Sequence, residues 1–446
     1  MSRQRSRSRS LAIQAIYQWQ LAGQDIATII DNFMLEQGTK KFDSDYFREL
    51  VGAVPKRIDE LDAALAQCVD RKVESVDPVE RAILRLAAYE LIEHPEIPYR
   101  VVINEAVELA NNTRYGLAAT LWTENVNLAL DIAPKLVAGV VWVNGTNMFD
   151  AAAPFGGVRE SGFGREGGWE GLSAYTRPKG KTKPLAPVAA FAGKQDSHAT
   201  DAVDRTAKMY IGGKQARPDS GYSKPVFNSH GGLLGHVGMG SRKDIRNAVE
   251  ACNAAKGWSK TTGHLRAQIL YYVAENLSAR ADEFANRLNQ MTGGRSGADE
   301  VETSIRTLFT YAAWADKYDG QAHGVPIRGV ALAMKEPVGN IGILCDDAAP
   351  LAGLVGAMAP AIAMGNRVIL AASEPFPLAA TDFYQVLETS DVPAGVVNII
   401  TGNHSELAPT LAKHLDIDAV WSFSSSDLSA AIEQGSAGNL KRTWVN

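Results

Sequence analysis

The feature that most constrains the fold is a change of sequence pattern that falls inside one predicted helix. Up to residue 110, apolar residues recur at helical spacing and nothing alternates as it would in a strand. From Asn111 onward, strand-like runs such as LVAGVVWVN at 136–144 and glycine-dense loops appear. The change lies within residues 103–119, INEAVELANNTRYGLAA, and no linker marks it. The chain is therefore predicted to be multidomain, with an all-α helical bundle followed by α/β segments.

The bulk composition excludes several classes of protein. A chain of 446 residues is long enough for about two to four domains, and its net charge of −5 argues against extensive coating of nucleic acid. No apolar run reaches the roughly 18 residues that a membrane span needs. The three cysteines, Cys68, Cys252 and Cys345, are odd in number and far apart. This spacing predicts neither a disulfide framework nor a metal site, and it favours a reducing cytoplasm.

The N-terminal pattern predicts a small bundle of helices. Leu11, Ala15, Ile16 and Trp19 share one helical face. A later helix has a sharp start, because Asp77 can cap it, Pro78 suits its first position and Glu80 completes a capping box. Its buried face is predicted to hold Ile83, Ala87 and Leu91. The predicted helices span 11–22, 25–36, 44–70 and 78–93, with a last one that starts near Tyr99.

The first ten residues carry arginines at 3, 5, 7 and 9 and no acidic residue. This segment can bind phosphate by charge, with Tyr17 or Trp19 as a stacking face for unpaired bases. The alternative is a solvated, disordered tail ahead of a helix whose aromatic residues belong to the core. Composition alone favours the alternative, because one basic decapeptide is a weak signal.

Four runs, AIQAIYQWQ, DYFRELV, DPVERAILRLAAYEL and IPYRVVINEAVELA, resemble the NusB family of transcription antitermination factors over residues 1–110. The resemblance implies an all-helical, RNA-binding domain that recognises the single-stranded boxA element together with the small ribosomal protein NusE. It also implies the roles of several side chains: Arg5, Arg7 and Arg9 hold RNA phosphates, Gln14 and Tyr17 lie at the RNA face, and Glu74 and Glu80 face the protein partner.

Two points of this resemblance stay open. Glu80 has the competing interpretation of a capping-box carboxylate, and one side chain need not serve both roles. The last helix of the family is replaced from Asn111 onward by unrelated sequence. Loss of a packed helix exposes apolar surface on its neighbours, at about 25 cal/mol per Å². The bundle is therefore expected to be marginal or to use a helix near 125–136 as a substitute.

The rest of the chain resembles parts of the aldehyde dehydrogenase family. Residues 111–181 resemble the C-terminal end of one module, with an irregular glycine-rich loop rather than a phosphate-binding GxGxxG turn. Residues 182–205 have the composition of a linker. Residues 206–446 resemble a degenerate dinucleotide-binding half of a second module, a doubly wound α/β unit, as in tandem aldehyde dehydrogenases. The resemblance also implies oligomerisation through this part of the chain.

Aldehyde oxidation needs a nucleophile, an oxyanion donor, a general base and a bound nicotinamide. Ala348 stands where the family has its oxyanion asparagine, and Ala371 stands where it has the ribose-binding lysine. Ser424 replaces the glycine that lets the backbone approach pyrophosphate. Glu374 remains as a weak candidate for a ribose hydroxyl, and a lone surface glutamate is the alternative interpretation. The family's cysteine and general-base glutamate align beyond Asn446, so no catalytic residue and no bound cofactor are expected, with NAD(P) implied by resemblance only.

The three cysteines do not supply the missing nucleophile. Cys68 and Cys252 are predicted on amphipathic helices, and Cys345 follows a buried strand beside two aspartates, which raise a thiol pKa. The favoured function is a NusB-like RNA-binding factor fused to a catalytically incomplete aldehyde dehydrogenase-like region. The alternatives are an aldehyde dehydrogenase homologue, active or inactive, that uses NAD(P), and a recombination or assembly product without a selected function.

Overall fold

The chain forms two compact units. The computed structural model describes residues 3–37, 42–69, 72–176, 188–194, 206–294, 297–326 and 329–445. One unit comprises Met1–Arg177 with Gly324–Val330, and the other comprises Pro178–His323 with Ala331–Asn446. Within the described ranges, no helix is both long enough and apolar enough to cross a membrane.

The N-terminal bundle is helical, as predicted. Its arginine-rich segment is helical from Arg3 onward, so the interpretation as a disordered tail is wrong for the described residues. The predicted helix 44–70 is wrong as one element, because Pro55 lacks an N–H and starts a 3-10 turn between two shorter helices. The helices are α1 (Arg3–Ala22), α2 (Ile26–Gln37), α3 (Ser44–Ala53), α4 (Ile58–Ala66), α5 (Pro78–Glu93) and α6 (Tyr99–Asn111).

Most of the predicted core of the bundle is confirmed. Leu11, Ala15 and Ile16 are buried in one apolar cluster with residues of α3 and α5. Leu91 was assigned to the wrong face and is 45% exposed. Eight residues of helix advance by about 800°, which turns Leu91 about 80° away from Ile83, whereas a residue seven positions on returns to within about 20°. That residue is Glu90, a buried carboxylate.

Residues after α6 form a short α/β segment: β1 (Ala118–Leu121), α7 (Val126–Ile132), β2 (Val140–Val143) and α8 (Gly168–Ser173). The two strands pair in parallel, and the glycine-rich loop that follows is irregular, as predicted. Asn111 at the end of α6 anchors this segment, because its amide donates to Lys135 O at 2.7 Å and accepts from Val137 N at 2.7 Å. The apolar core of the bundle contains no described residue of α7, so this core does not support α7 as a substitute last helix.

The second unit is built on a seven-stranded sheet with helices on both faces. Alternate residues of its central strands enter separate apolar clusters, with Ile341 and Val368 on one face and Leu344 and Ile369 on the other. The strands are β3 (Thr206–Ala207), β4 (Met209–Ile211), β5 (Lys214–Ala216), β6 (Ser223–Phe227), β7 (Leu233–Gly238), β8 (Gln321–Gly324), β9 (Val330–Ala333), β10 (Asn340–Leu344), β11 (Arg367–Ala371), β12 (Val397–Ile400), β13 (Ala419–Ser422) and β14 (Arg442–Val445). The helices are α9 (Arg242–Ala254), α10 (Gly263–Ala279), α11 (Ala281–Thr292), α12 (Gly297–Trp314), α13 (Ala352–Ala363), α14 (Leu378–Glu388), α15 (His404–Lys413) and α16 (Ser426–Ser436).

The strand order of the large sheet is β14-β13-β10-β11-β12-β4-β5, and its first five strands run parallel. This is the predicted doubly wound arrangement, in which ligands bind at the carboxyl ends of the strands. β3, β7 and β6 form a smaller sheet. The predicted linker 182–205 lies mostly outside the described residues. Its described part, 188–194, is not a free connection, because Val188 and Phe191 pack against the core of this unit.

Candidate functional sites

Arg5 and Arg7 point in different directions. They are about 160° apart around a helix that advances 100° per residue. Arg7 is exposed, and its guanidinium donates to Gln37 Oε1 at 3.2 Å. The Arg5 side chain is 41% exposed and lies over the Tyr46 ring, 4.8 Å from its centroid, with Nε 3.4 Å from Asp43 Oδ2. The two arginines therefore flank one helix rather than forming a single row.

A polar ridge runs along the exposed side of α1. Arg7 and Gln14 are exposed and Gln18 is half-buried, and all three fall within about 20° of one direction around the helix. The ridge is about 16 Å long at 1.5 Å per residue. Tyr17 is half-buried at its edge and packs partly against the core of the bundle. The structure thus places Arg7 and Gln14 on one side of α1, with Tyr17 about 60° around the helix from Gln14 and Arg5 on the opposite side.

Arg9 does not lie on this surface. Its side chain is fully buried, and its Nε donates to Glu90 Oε1 at 2.8 Å and to Oε2 at 3.0 Å. The Tyr46 hydroxyl donates to the same carboxylate and accepts from Arg9 at 3.2 Å, and Glu105 lies 3.6 Å from the guanidinium. Burial lowers the pKa of Arg9, but the hydrogen bond and charge of Glu90 outweigh burial and raise it. We therefore correct the expectation for Arg9: its charge is already neutralised inside the bundle.

A second ion pair, between buried Arg85 and half-buried Asp62, lies at the other end of α1. The guanidinium of Arg85 binds Asp62 through two hydrogen bonds of 2.8 and 2.5 Å and donates to Gln20 Oε1 at 2.5 Å. Gln20 in turn donates to Pro78 O at 2.8 Å. Sequence reasoning missed Glu90 and Arg85 as buried groups. The available signal was a charged residue at a helical position inside the apolar face of α5, where an unpaired charge is not tolerated.

Glu74 and Glu80 are both exposed at the N-terminal end of α5. Asp77 caps this end, because its carboxylate accepts from Val79 N at 2.9 Å and from Glu80 N at 3.4 Å. Arg81 donates to Glu74 O at 2.8 Å and so fixes the turn that carries Glu74. Glu74 also borders a shallow cleft of about 630 Å³, which is lined by Asp62, Ala66, Lys72, Val73 and Glu74. The structure therefore leaves both predicted partner residues exposed near the start of α5, beside a cleft that holds two carboxylates and Lys72.

The carboxyl ends of β10 to β13 are joined by internal hydrogen bonds. His404 is buried, with Nε2 at 2.8 Å from Ala372 O and Nδ1 at 3.2 Å from Ser424 Oγ. Glu374 is not a lone surface residue, because its carboxylate accepts from His404 N at 2.9 Å and so caps α15. Asp347 Oδ1 accepts from Glu374 N at 2.8 Å, and burial raises the pKa of this aspartate.

These contacts do not fit the nicotinamide dinucleotide that the resemblance implies. A pyrophosphate needs free backbone N–H groups at a helix start and close backbone approach. Here Glu374 already caps α15, and the Ser425 hydroxyl accepts from Leu428 N at 3.5 Å in the first turn of α16. Ser424, at the family's glycine position, is 8% exposed and bonded to His404. Glu374 and Ser424, which stand at two positions of the family's dinucleotide site, are thus bonded within the protein.

The buried cysteines lack the properties of a nucleophile. Burial raises the pKa of Cys252 to about 12. Burial and the charges of Asp347 and Asp346 raise the pKa of Cys345, as the sequence predicted. Cys68 is exposed in the turn after α4 rather than within a helix, which corrects its predicted placement. A thiolate at Cys252 or Cys345 is therefore disfavoured at neutral pH.

Comparison with known proteins divides the chain at α6. The family model of NusB matches residues 6–120, and the model of the aldehyde dehydrogenase family matches residues 97–180 and 217–446. Transcription antitermination protein NusB of Nitrosococcus oceani is 52% identical over 116 residues, which cover 26% of this chain and 76% of that protein. NusB of Hahella chejuensis is 44% identical over 133 residues, which cover 30% of this chain and 87% of that protein.

Solved structures match the dehydrogenase-like part. Betaine aldehyde dehydrogenase of Staphylococcus aureus has a TM-score of 0.52 at 23% identity, over 54% of this chain and 50% of that one. An NAD-dependent aldehyde dehydrogenase of Sinorhizobium meliloti has a TM-score of 0.52 at 23% identity, over 57% of this chain and 52% of that one. The chain thus spans about half the length of these enzymes, and at this identity the likeness shows the fold alone.

Proposed function

Because the chain belongs to the NusB family over residues 6–120 and to the aldehyde dehydrogenase family over residues 97–180 and 217–446, we propose that it is a NusB-type antitermination factor that carries a non-catalytic dehydrogenase-like region. A NusB antitermination domain fused to an aldehyde dehydrogenase-family region is what the two matches define. The proposal concerns what each part does. This role would place the chain in the cytoplasm, where transcripts are made.

The ligand of the bundle in this proposal is a boxA-like single-stranded RNA. The observation that carries it is the polar ridge of α1, where Arg7 and Gln14 are exposed and Tyr17 lies at the edge. Arginine binds phosphates by charge, the glutamine amide can bond a base edge, and a tyrosine ring can stack on a base. Arg5 adds a second phosphate contact from the opposite side of the helix, in competition with its ion pair to Asp43.

The protein partner in this proposal is the small ribosomal protein NusE, bound at the acidic end of α5. Glu74 and Glu80 are exposed there, and Asp62 and Glu74 line the adjoining cleft. An acidic surface steers and orients a basic partner through complementary charge. Because Glu80 N is bonded to Asp77, the Glu80 backbone serves the helix cap while its carboxylate stays at the surface.

The dehydrogenase-like part acts as a scaffold in this proposal. The buried thiols have raised pKa values, and the edge of the sheet is closed by His404 and Glu374. Exposed aromatic side chains such as Trp169 and Tyr175 favour a further role in homo-oligomerisation. The alternative, an NAD(P)-dependent aldehyde dehydrogenase, would gain support from aldehyde oxidation that is abolished by Cys345→Ser.

Fluorescence anisotropy with a labelled boxA-like RNA tests the proposed RNA binding. We expect salt-sensitive binding by the full chain, and a weaker, less salt-dependent complex for Arg7→Ala, because each lost phosphate contact on a single strand reduces the logarithmic salt slope by about 0.7. Lys135→Ala, an exposed lysine outside the bundle, serves as the matched control and should bind as the wild type does. Absence of binding at low salt in the presence of NusE would refute the proposal.

A further inference from the structure

The first two turns of α1 have no apolar anchor. After Met1, the first apolar side chain of the sequence is Leu11. The turns that carry Arg5 and Arg7 are instead held by polar contacts. Ser6 Oγ donates to Glu105 Oε1 at 2.8 Å, and Ser8 Oγ donates to Asp43 O at 2.7 Å. These turns are therefore held on the bundle without the hydrophobic packing that holds the rest of the helix.

Arg9 makes the most extensive of these polar contacts, and its side chain is fully buried. It is the largest charged side chain in the bundle that is fully buried, and its network joins four helices: α1, α3 through Tyr46, α5 through Glu90 and α6 through Glu105. A buried, charge-assisted and bidentate contact fixes direction as well as distance. Since a helix is rigid over two residues, the placement of Arg9 also fixes the direction of Arg7.

We propose that Arg9 is a positioning residue for RNA binding: its buried pair with Glu90 holds the first turns of α1 on the bundle, so that Arg5 and Arg7 present their charges in fixed directions. This inference rests on the proposed function. Without the pair, the segment before Leu11 frays, because a short helical end without packing is marginal in water. RNA would then have to order that segment on binding, and affinity would fall.

A direct contact between Arg9 and a phosphate is the competing interpretation. It would require the guanidinium to leave Glu90, which is only 1% exposed, and so to abandon a buried carboxylate without its countercharge. The positioning role needs no such rearrangement. The two interpretations differ in whether the charge of Arg9 itself contributes to RNA binding.

Three forms of the full chain separate the two roles: the wild type, Arg9→Met, and a triple variant with Arg9→Met, Tyr46→Phe and Glu90→Met. The triple variant replaces the polar network by apolar side chains of similar volume, which often preserves stability. We expect Arg9→Met to lose hydrogen-exchange protection in residues 6–10, whose N–H groups have acceptors within α1, and to bind boxA-like RNA roughly tenfold more weakly. We expect the triple variant to regain both protection and affinity, with the salt slope of the wild type.

Arg85→Met is the matched control, because it breaks a half-buried pair at the other end of α1 and should leave exchange in residues 6–10 slow. Unchanged protection in Arg9→Met would overturn the inference. So would a triple variant that is protected yet still binds weakly, with a salt slope shallower by about 0.7, since that is the signature of a lost phosphate contact. A wild type that binds no RNA would instead refute the proposed function, and the exchange data would still decide how α1 is held.

Discussion

Burial of the Lys441 ammonium makes the stability of the seven-stranded sheet depend on pH. This side chain is 7% exposed at the start of β14, where its Nζ donates to His414 O at 2.7 Å and to Ile417 O. Burial lowers the pKa of Lys441 to about 8, against the opposing charges of Asp418 and Asp416. Folding therefore disfavours the charged form that the unfolded chain prefers at neutral pH.

The sign and size of the effect follow from proton linkage. Between the folded pKa of about 8 and the unfolded value of about 10.4, the unfolded chain binds more protons, so stability rises with pH in this window. From pH 7 to pH 9.5 the lysine should add about 2 kcal/mol to the free energy of unfolding. Cys252 acts in the opposite direction, because its pKa is raised to about 12 and its contribution is lost as pH rises above the unfolded value.

Cys252 is present in both the wild type and Lys441→Met, so its contribution cancels in the difference between their free energies of unfolding. The variant leaves two carbonyls without their donor, which lowers stability by a constant amount, whereas the lysine contribution varies with pH. Urea unfolding followed by fluorine NMR of labelled Trp421 and Trp444 reports on this sheet edge, since the two rings lie 5.2 Å apart beside it. A difference between the two proteins that stays flat from pH 7 to 9.5 would refute the reasoning.

Three further predictions concern the bundle. Arg9→Met should lower its free energy of unfolding by about 3–5 kcal/mol in urea, because a carboxylate is left buried and unpaired, and adding Glu90→Met should recover most of the loss. An unrecovered loss would contradict this. Bundle stability should fall as pH rises through the folded pKa of His94: burial lowers this pKa, but hydrogen bonds to Glu96 and Glu49 outweigh burial and raise it. The effect should stay below about 1 kcal/mol because both carboxylates are exposed, and His94→Gln should abolish it. Asp77→Ala should cost about 1 kcal/mol in thermal melts and Asp77→Asn much less, because asparagine still caps; equal losses would exclude capping as the cause.

Local sequence signals were sufficient for much of the fold. The helical period predicted the bundle, and the Asp77-Pro78 pair predicted the start of α5. The buried strands β10, β11 and β12 and the helices between them predicted the doubly wound unit. Pro55 is also a local signal, because a proline inside the predicted helix 44–70 divides it into two shorter helices. Such features depend on residues a few positions apart, which the sequence displays directly.

The candidate sites depended on contacts that the sequence does not display. Arg5, Arg7 and Arg9 look equivalent in the sequence, yet one lies over an aromatic ring, one lies at the surface and one lies in the core. In the sequence Glu374 has no evident partner. In the structure its carboxylate accepts a hydrogen bond from His404 N, thirty residues later at the start of α15.

The sequence by itself determined most of the helices of the bundle, where the two families meet at α6, and that the arginines are concentrated on α1. The tertiary structure alone decided which of Arg5, Arg7 and Arg9 lies exposed at the surface. In a helix with alternating arginines, the sequence does not show which side is buried. The buried side is set when neighbouring helices place a carboxylate beside one of the arginines. Here α5 places Glu90 and α6 places Glu105 beside Arg9, which fixes the rotation of α1 and leaves Arg7 exposed.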